Sequence, residues 1–290
     1  MRTEACMLAQ AGDEKKIDEM IASGNWNFER KYDGERCVIE VYDGNVFLWN
    51  RKGKEINTQF PEIEEMAKKL PNGIYDGELF VPSNVDNKDK PTTSGRTNVR
   101  ATEARILSKV KPAIFKCFDI LQYEGENLRD EPYELRKERL ARVDVMKVPG
   151  FEGVFSEKNP KEIWERILSN GDEGMVAKLS GSKYENLRSH NWVKLKTWQE
   201  EDFKVVGFTS EKREVSALVL ENGMKVNCAL DGLQYNLLLA DLVKADTMMT
   251  CSDGTMAVKL QKTYTAKVKF LHKSESGLRF PILHELEGYK

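Results

Sequence analysis

Apolar and polar positions alternate along most of the chain, and the period changes between two and about 3.6 residues at points marked by Gly, Pro and Asp. Residues 13–22 place Ile17, Met20 and Ile21 on one helical face, with Asp13 as cap and Gly24 as stop. Extended structure follows through Trp26-Asn27-Phe28 and KYDGER. The runs CVIEVY and VFLWN then flank Asp43-Gly44-Asn45, the strongest hairpin signal in the sequence. A helix is predicted over 61–70, with Pro61 in its first turn, and a strand over 73–81. The polar stretch 82–95 is rich in turn formers and reads as a loop, either functional or partly disordered at that length. Helices are predicted over 101–110, 132–143 and around 163–168, and strands over 114–121, 174–179 and 191–196. Strands and helices mixed without a regular strand-helix-strand series imply an α+β core.

From Asp202 the texture changes to short strands (FKVVGF, VSALVL, MKVNCAL, TMAVKL, TYTAKVKF) separated by turn residues, with one helix-like piece over 233–244. Five short strands and one helix suit a small β-barrel of the oligonucleotide-binding (OB) type. The boundary is expected at 197–201, giving domains 1–199 and 200–290.

Composition narrows the class. The chain has 290 residues, 40% of them apolar, enough for a sizeable core, and 32% charged. No run approaches the roughly 18 apolar residues of a membrane span. The apolar run Ala5-Cys6-Met7-Leu8-Ala9 is too short for a signal-peptide core, so a cytoplasmic protein without a membrane partner is expected. Five cysteines with no CxxC pair and only three histidines point away from a disulfide framework, a structural zinc site or a Cys/His nucleophile. A net charge of -2 does not exclude nucleic acid, because a partner feels the local field of a groove more than the sum.

The most informative string is Lys31-Tyr32-Asp33-Gly34-Glu35-Arg36. Alone it fits either a surface lysine at an Asp-Gly turn or an amine nucleophile beside a phosphate-binding cation. The order of the remaining strings changes the balance: WNRKG at 49–53, YDGEL at 75–79, FDIL at 118–121, EGMVAK at 173–178 and WVKLK at 192–196. This set resembles the covalent nucleotidyltransferase superfamily of ATP-dependent DNA ligases, RNA ligases and mRNA capping enzymes, and the match runs along the whole chain. Order and spacing are most similar to the ATP-dependent DNA ligases. The zinc cysteines of NAD-dependent ligases and the large helical domain that precedes many cellular ligase cores are not seen, so the resemblance is to the minimal two-domain enzymes of bacteria and phages.

That resemblance implies a nucleotidyltransferase (adenylation) domain of antiparallel sheets with flanking helices, followed by an OB-fold barrel. It implies ATP and Mg²⁺, with AMP carried covalently on Lys31, and nicked double-stranded DNA as partner of a monomer. An RNA ligase with the same first step is the alternative. A free lysine is only about 0.04% amine at pH 7, so Lys31 needs surroundings that disfavour its charge. Lys194 and Lys196 alternate on one strand and so share a face, where they are expected to lower the Lys31 pKa and bind the α-phosphate. By resemblance Glu29 contacts adenine, Phe118 stacks on it, Arg36 and Arg51 contact ribose or phosphates, and Lys178 a phosphate. Glu78 and Glu173 are the carboxylates expected near Mg²⁺ or the ribose. Tyr184 and Arg188 lie where the family often binds AMP or the nick phosphate.

Between Lys259 and Arg279 stand six basic residues against one acid, Glu275, a stripe suited to backbone phosphates. Arg279, in GLRFP, resembles the arginine of the last ligase motif that orients pyrophosphate, although His284 and Glu285 depart from the basic flank usual there. The loop 82–100, with Lys88, Lys90, Arg96 and Arg100, is expected to help grip the duplex.

Overall fold

A computed structural model describes residues 6–12, 15–82, 94–211, 214–228, 230, 234, 236, 238, 248–274 and 277–286. It divides into two compact units, Met1–Thr197 and Trp198–Lys290.

In the first unit the chain runs through β1 (Leu8–Ala11), α1 (Lys15–Ser23), β2 (Trp26–Lys31), β3 (Glu35–Tyr42), β4 (Asn45–Asn50), α2 (Pro61–Ala67) and β5 (Gly73–Phe80). It continues through α3 (Ser94–Thr97), α4 (Ala101–Val110), β6 (Ile114–Tyr123), β7 (Glu126–Asn127), α5 (Tyr133–Asp144), β8 (Phe151–Gly153), α6 (Pro160–Asn170), β9 (Gly174–Leu179) and β10 (Arg188–Lys196). Two sheets result, one ordered β1-β10-β9-β2 and the other β4-β3-β5-β6-β7 with β8 on β6. The Asp43-Gly44 turn closes the expected hairpin, with Tyr42 opposite Asn45 and both turn residues at positive φ. Helix α6 is longer than its apolar pattern suggested. Asn159 caps its start by accepting from the Lys161 N–H, and Gly171 ends it in the left-handed region.

Strand alternation sorts the side chains by face. Phe28, Met175, Ala177, Val193 and Leu195 turn outward and pack with Met20 of α1 and Ile163 and Ile167 of α6. The main core lies on the other sheet, where Ile39, Leu48, Tyr75 and Phe115 meet Ile63 and Met66 of α2 and Leu140 and Val143 of α5. A third cluster, Met7, Leu121, Tyr184 and Trp192 with Phe118 and Val176 against it, joins the facing sides of the two sheets. The odd residues Glu29 and Lys31 and the even residues Lys178, Lys194 and Lys196 are thereby left to that facing side.

The second unit holds β11 (Gln199–Glu211), β12 (Glu214–Leu220), β13 (Lys225–Asn227), β14 (Met248–Thr250), β15 (Met256–Phe270), β16 (Lys273–Ser274), β17 (Gly277–Leu278) and β18 (Ile282–Leu286). Its main sheet is ordered β11-β12-β13-β18-β15-β14, and β11 also pairs with β15. The core is Val205, Leu218, Val226, Ala266, Val268 and Phe270 with Leu238. TMAVKL and TYTAKVKF, read as two strands, form the single strand β15, because Gln261-Lys262 between them carries no turn former. Most of the expected helix 233–244 lies outside the described residues, although Gln234, Asn236 and Leu238 are helical. Asp13, Lys88, Lys90 and Glu275 also lie outside them.

Candidate active site

Three strand ends bring the reactive groups together. Lys31 closes β2, Lys196 closes β10, and both register on Gly174, the first residue of β9 between them. Glu173, one residue before β9, is shared by the two lysines: Lys31 donates to its Oε2, and Lys196 Nζ lies 2.9 Å from its Oε1. Gly174 is at φ 146°, and a Cβ there would stand 2.0 Å from the Leu195 carbonyl oxygen, so the close spacing of the strands at this rung requires glycine. Burial opposes the charge of Glu173, but Lys31 and Lys196 outweigh it and hold the carboxyl below its usual range.

The Lys31 ammonium has a carboxylate partner besides the lysines expected around it, and the charge of Lys194 is disfavoured by burial and by Lys196, Lys31, Arg188 and Arg51 in turn. Arg51 is exposed in the turn after β4, within that field.

Glu78 comes from β5 and is partly buried. Burial pushes its carboxyl up to about 7 despite the pull of Lys31 and Arg36, and Glu173 and Glu35 add to the rise. Gly34 makes this approach possible, since a Cβ there would lie 2.1 Å from the Leu79 carbonyl oxygen and 2.7 Å from Glu78 Cγ. No group of three or more His, Cys, Asp or Glu able to hold a metal occurs among the described residues. Two neighbouring carboxylates, one of them short of positive charge, fit Mg²⁺, which takes one or two protein carboxylates and leaves its other positions to phosphates and water.

Deeper between the sheets lies a saturated polar cluster. Glu29, 2% exposed, accepts at Oε2 from Lys178 Nζ at 2.7 Å, and at Oε1 from Lys137 Nζ at 2.7 Å and the Tyr133 hydroxyl at 2.6 Å. Burial works against the Glu29 charge, but Lys137 and Lys178 hold its carboxyl below the usual range. Lys178, 1% exposed, is lowered by burial in spite of Glu29. Its ammonium also lies 4.7 Å from the Phe118 ring centre and 4.2 Å from that of Trp192. Phe118 is partly buried, packed against the cluster of Met7, Leu121, Tyr184 and Trp192, with the Arg36 guanidinium 4.6 Å from its centre.

Arg36 is held by Asp76 through two hydrogen bonds of 2.6 Å. Asp76 also accepts from the Tyr184 hydroxyl at 2.6 Å, and that hydroxyl accepts from the Met7 N–H at 3.0 Å. The circuit closes at the Met7 carbonyl, 3.2 Å from Arg36 Nη2. Tyr184 is thus built into the wall of the site, while Arg188 donates to the Ala9 carbonyl at 2.6 Å. Sequence reasoning missed Asp76, Tyr133, Lys137 and Met7. Asp76 stands inside YDGEL, but Tyr133 and Lys137 belong to a segment read only as a helix, and Met7 to an apolar run weighed only as a signal-peptide core.

Arg96 is corrected as a duplex-gripping residue. It is 3% exposed, bonded to Glu62 and to the Gln59 and Lys111 carbonyls. Arg279 belongs to the second unit, on the turn after β17, with its guanidinium 4.3 Å from the Phe280 ring centre. Three of the six basic residues of that unit's stripe are answered from neighbouring strands: Lys269 pairs with Glu200, Lys273 with Glu201 and Lys267 with Glu285.

A strand-end lysine with its carboxylate partner on the facing side of two sheets, followed by a separate β unit, is thus the arrangement of a chain that the family match puts in the nucleotidyltransferase superfamily, with an appended OB fold. It belongs, more narrowly, to the ATP-dependent DNA ligase domain family, whose model matches residues 6–196. It is 32% identical over 209 residues to a DNA ligase of Methanothrix thermoacetophila, covering 69% of this chain and 37% of that protein. It is 29% identical over 219 residues to the bifunctional non-homologous end joining protein LigD of Bacillus subtilis, covering 69% and 36%. The chain thus spans little more than a third of these relatives. In fold it is like a Lig E DNA ligase structure, with a TM-score of 0.67, 17% identity, and 97% and 99% of the two chains covered.

Proposed function

We propose that the protein is an ATP-dependent DNA ligase that seals 5′-phosphate/3′-hydroxyl nicks in duplex DNA. The observation that supports this most is the rung formed by Lys31, Gly174 and Lys196 with Glu173 shared between the lysines, in a chain whose first two thirds match the ligase family. Residues 1–199 serve as the adenylation domain and 200–290 as the OB-fold domain.

Lys31 is the nucleophile toward the α-phosphate of ATP, forming a lysyl-AMP phosphoramidate with release of pyrophosphate. The AMP then passes to the 5′-phosphate of the nick, and the 3′-hydroxyl displaces it as the phosphodiester forms. Lys194 and Lys196 supply positive charge to the phosphoryl oxygens, where the transition state is richest in negative charge. Arg36, Arg51 and Lys178 complete the cationic wall, Phe118 and Glu29 meet the base, and Arg279 serves the pyrophosphate. Glu78 and Glu173 would hold Mg²⁺, which would supply positive charge at the phosphate oxygens. Before it can attack, the Lys31 ammonium must lose both its carboxylate partner and a proton.

The test is intact mass after incubation with Mg²⁺ and ATP, GTP or NAD in separate tubes, using protein first stripped with pyrophosphate. An AMP adduct from ATP, absent in Lys31→Ala, is expected. No adduct from any nucleotide would overturn the proposal, and all-RNA nicks sealed as fast as all-DNA nicks would replace it with an RNA ligase.

A further inference from the structure

The base-facing part of the site is not built from its strands alone. Helix α5 sends two side chains into it. Lys137 Nζ donates to Glu29 Oε1 at 2.7 Å, to the Phe118 carbonyl at 3.0 Å and to the Val154 carbonyl. Tyr133, one turn earlier, donates to the same Glu29 oxygen at 2.6 Å. The Phe118 carbonyl accepts in addition from Lys178 at 3.2 Å. The carboxylate of Glu29 and the backbone of Phe118 are therefore bridged twice, by an ammonium from β9 and by one from α5. Lys137 is 9% exposed and has three acceptors for its three N–H bonds, so the geometry leaves it one orientation.

We infer that Lys137, assisted by Tyr133, is a positioning residue for nucleobase selection. It fixes Glu29 as an acceptor-only carboxylate at a set distance from the aromatic residue Phe118. This rests on the ligase reading given above, in which Glu29 and Phe118 meet adenine. The 6-amino group of adenine is a donor and suits an ionised carboxylate, whereas the 6-oxo group of guanine is an acceptor and is repelled by one. Ionisation of a carboxyl this deeply buried depends on its cations. Removing Lys137 leaves one, Lys178, whose own charge burial already disfavours. Glu29 then gains access to a protonated, rotated state that offers an O–H to a 6-oxo group. Lys137 would thus act on which base is accepted, through Glu29, without touching the reacting phosphate.

The experiment follows formation of the nucleotide adduct on Lys31 against ATP and against GTP concentration, with Mg²⁺, for the full chain and for Lys137→Met and Tyr133→Phe. In Lys137→Met the half-saturating ATP concentration should rise about tenfold, the effect of one lost charge-assisted hydrogen bond, and the preference for ATP over GTP should fall by a similar factor. The maximal adenylation rate should change by much less. Tyr133→Phe should move both quantities the same way by a smaller factor, and it decides the matter should Lys137→Met not fold. Wild-type half-saturation and an unchanged ATP preference in folded variants would overturn the inference while leaving the ligase reading intact. Absence of any adduct from the wild-type protein would instead remove that reading, and the inference with it.

Discussion

Burial raises the Glu78 carboxyl from 4.5 to about 7, and this has a consequence for stability with a definite sign. An acid whose pKa is raised by folding favours the folded state most where it is protonated in both states, below about 4.5. That contribution is lost as pH rises through about 7, up to about 3 kcal/mol in all. Glu78→Gln cannot ionise and escapes the loss. Thermal unfolding midpoints between pH 4.5 and 8.5 should show the variant gaining on the wild type until the pH has passed about 7, then a constant difference. Parallel curves would mean that Glu78 titrates as an ordinary carboxylate. Adenylation should meanwhile fall in the same variant, because the group whose charge is costly on folding is the one proposed to hold Mg²⁺.

Helix α5 shows how far a pattern can be read at the level of an element. PYELRKERLARV was legible as a charged amphipathic helix, and the helix forms over Tyr133–Asp144. Its buried face nevertheless carries Arg136 and Lys137 beside Tyr133, Leu140 and Val143. Spacing told which positions share a face, but not that a basic pair would be turned inward. The reason lies on other elements: Arg136 pairs with Asp119 of β6, and Lys137 with Glu29 of β2, acids that are themselves buried. Arg136, 0% exposed, bonds both oxygens of Asp119 at 2.8 and 3.1 Å and the Glu131 and Ser182 carbonyls. Arg136→Met strands a buried carboxylate and should cost about 3–5 kcal/mol in urea unfolding. A loss under 1 kcal/mol would mean that water reaches Asp119 after all.

Across the whole molecule, charge is distributed differently from its order in the sequence. Between Lys259 and Arg279 the chain reads as strongly basic, yet β11 runs antiparallel to β15 and sets Glu200 opposite Lys269. Lys273 is met by Glu201, and Lys267 by Glu285 of β18. A lysine already neutralised releases few counterions on meeting a phosphate. Replacing both Glu200 and Glu201 with Gln should therefore tighten binding to a nicked duplex at low salt and steepen its salt dependence, by up to about 0.9 in the logarithmic slope for each lysine freed. Fluorescence anisotropy over a KCl series measures this, and an unchanged slope would show that the duplex lies against another face. The sequence by itself determined the order of the motifs, the α+β class, the hairpin at Asp43-Gly44 and the shared face of Lys194 and Lys196, because turn chemistry and the two-residue period of a strand are local. Only the tertiary structure decided that Glu173 lies between two lysines, that Lys137 clasps Glu29, and that Met7, Arg36, Asp76 and Tyr184 close a circuit. Each of those depends on side chains far apart in sequence competing for the same buried partner, and no local pattern records which of them wins.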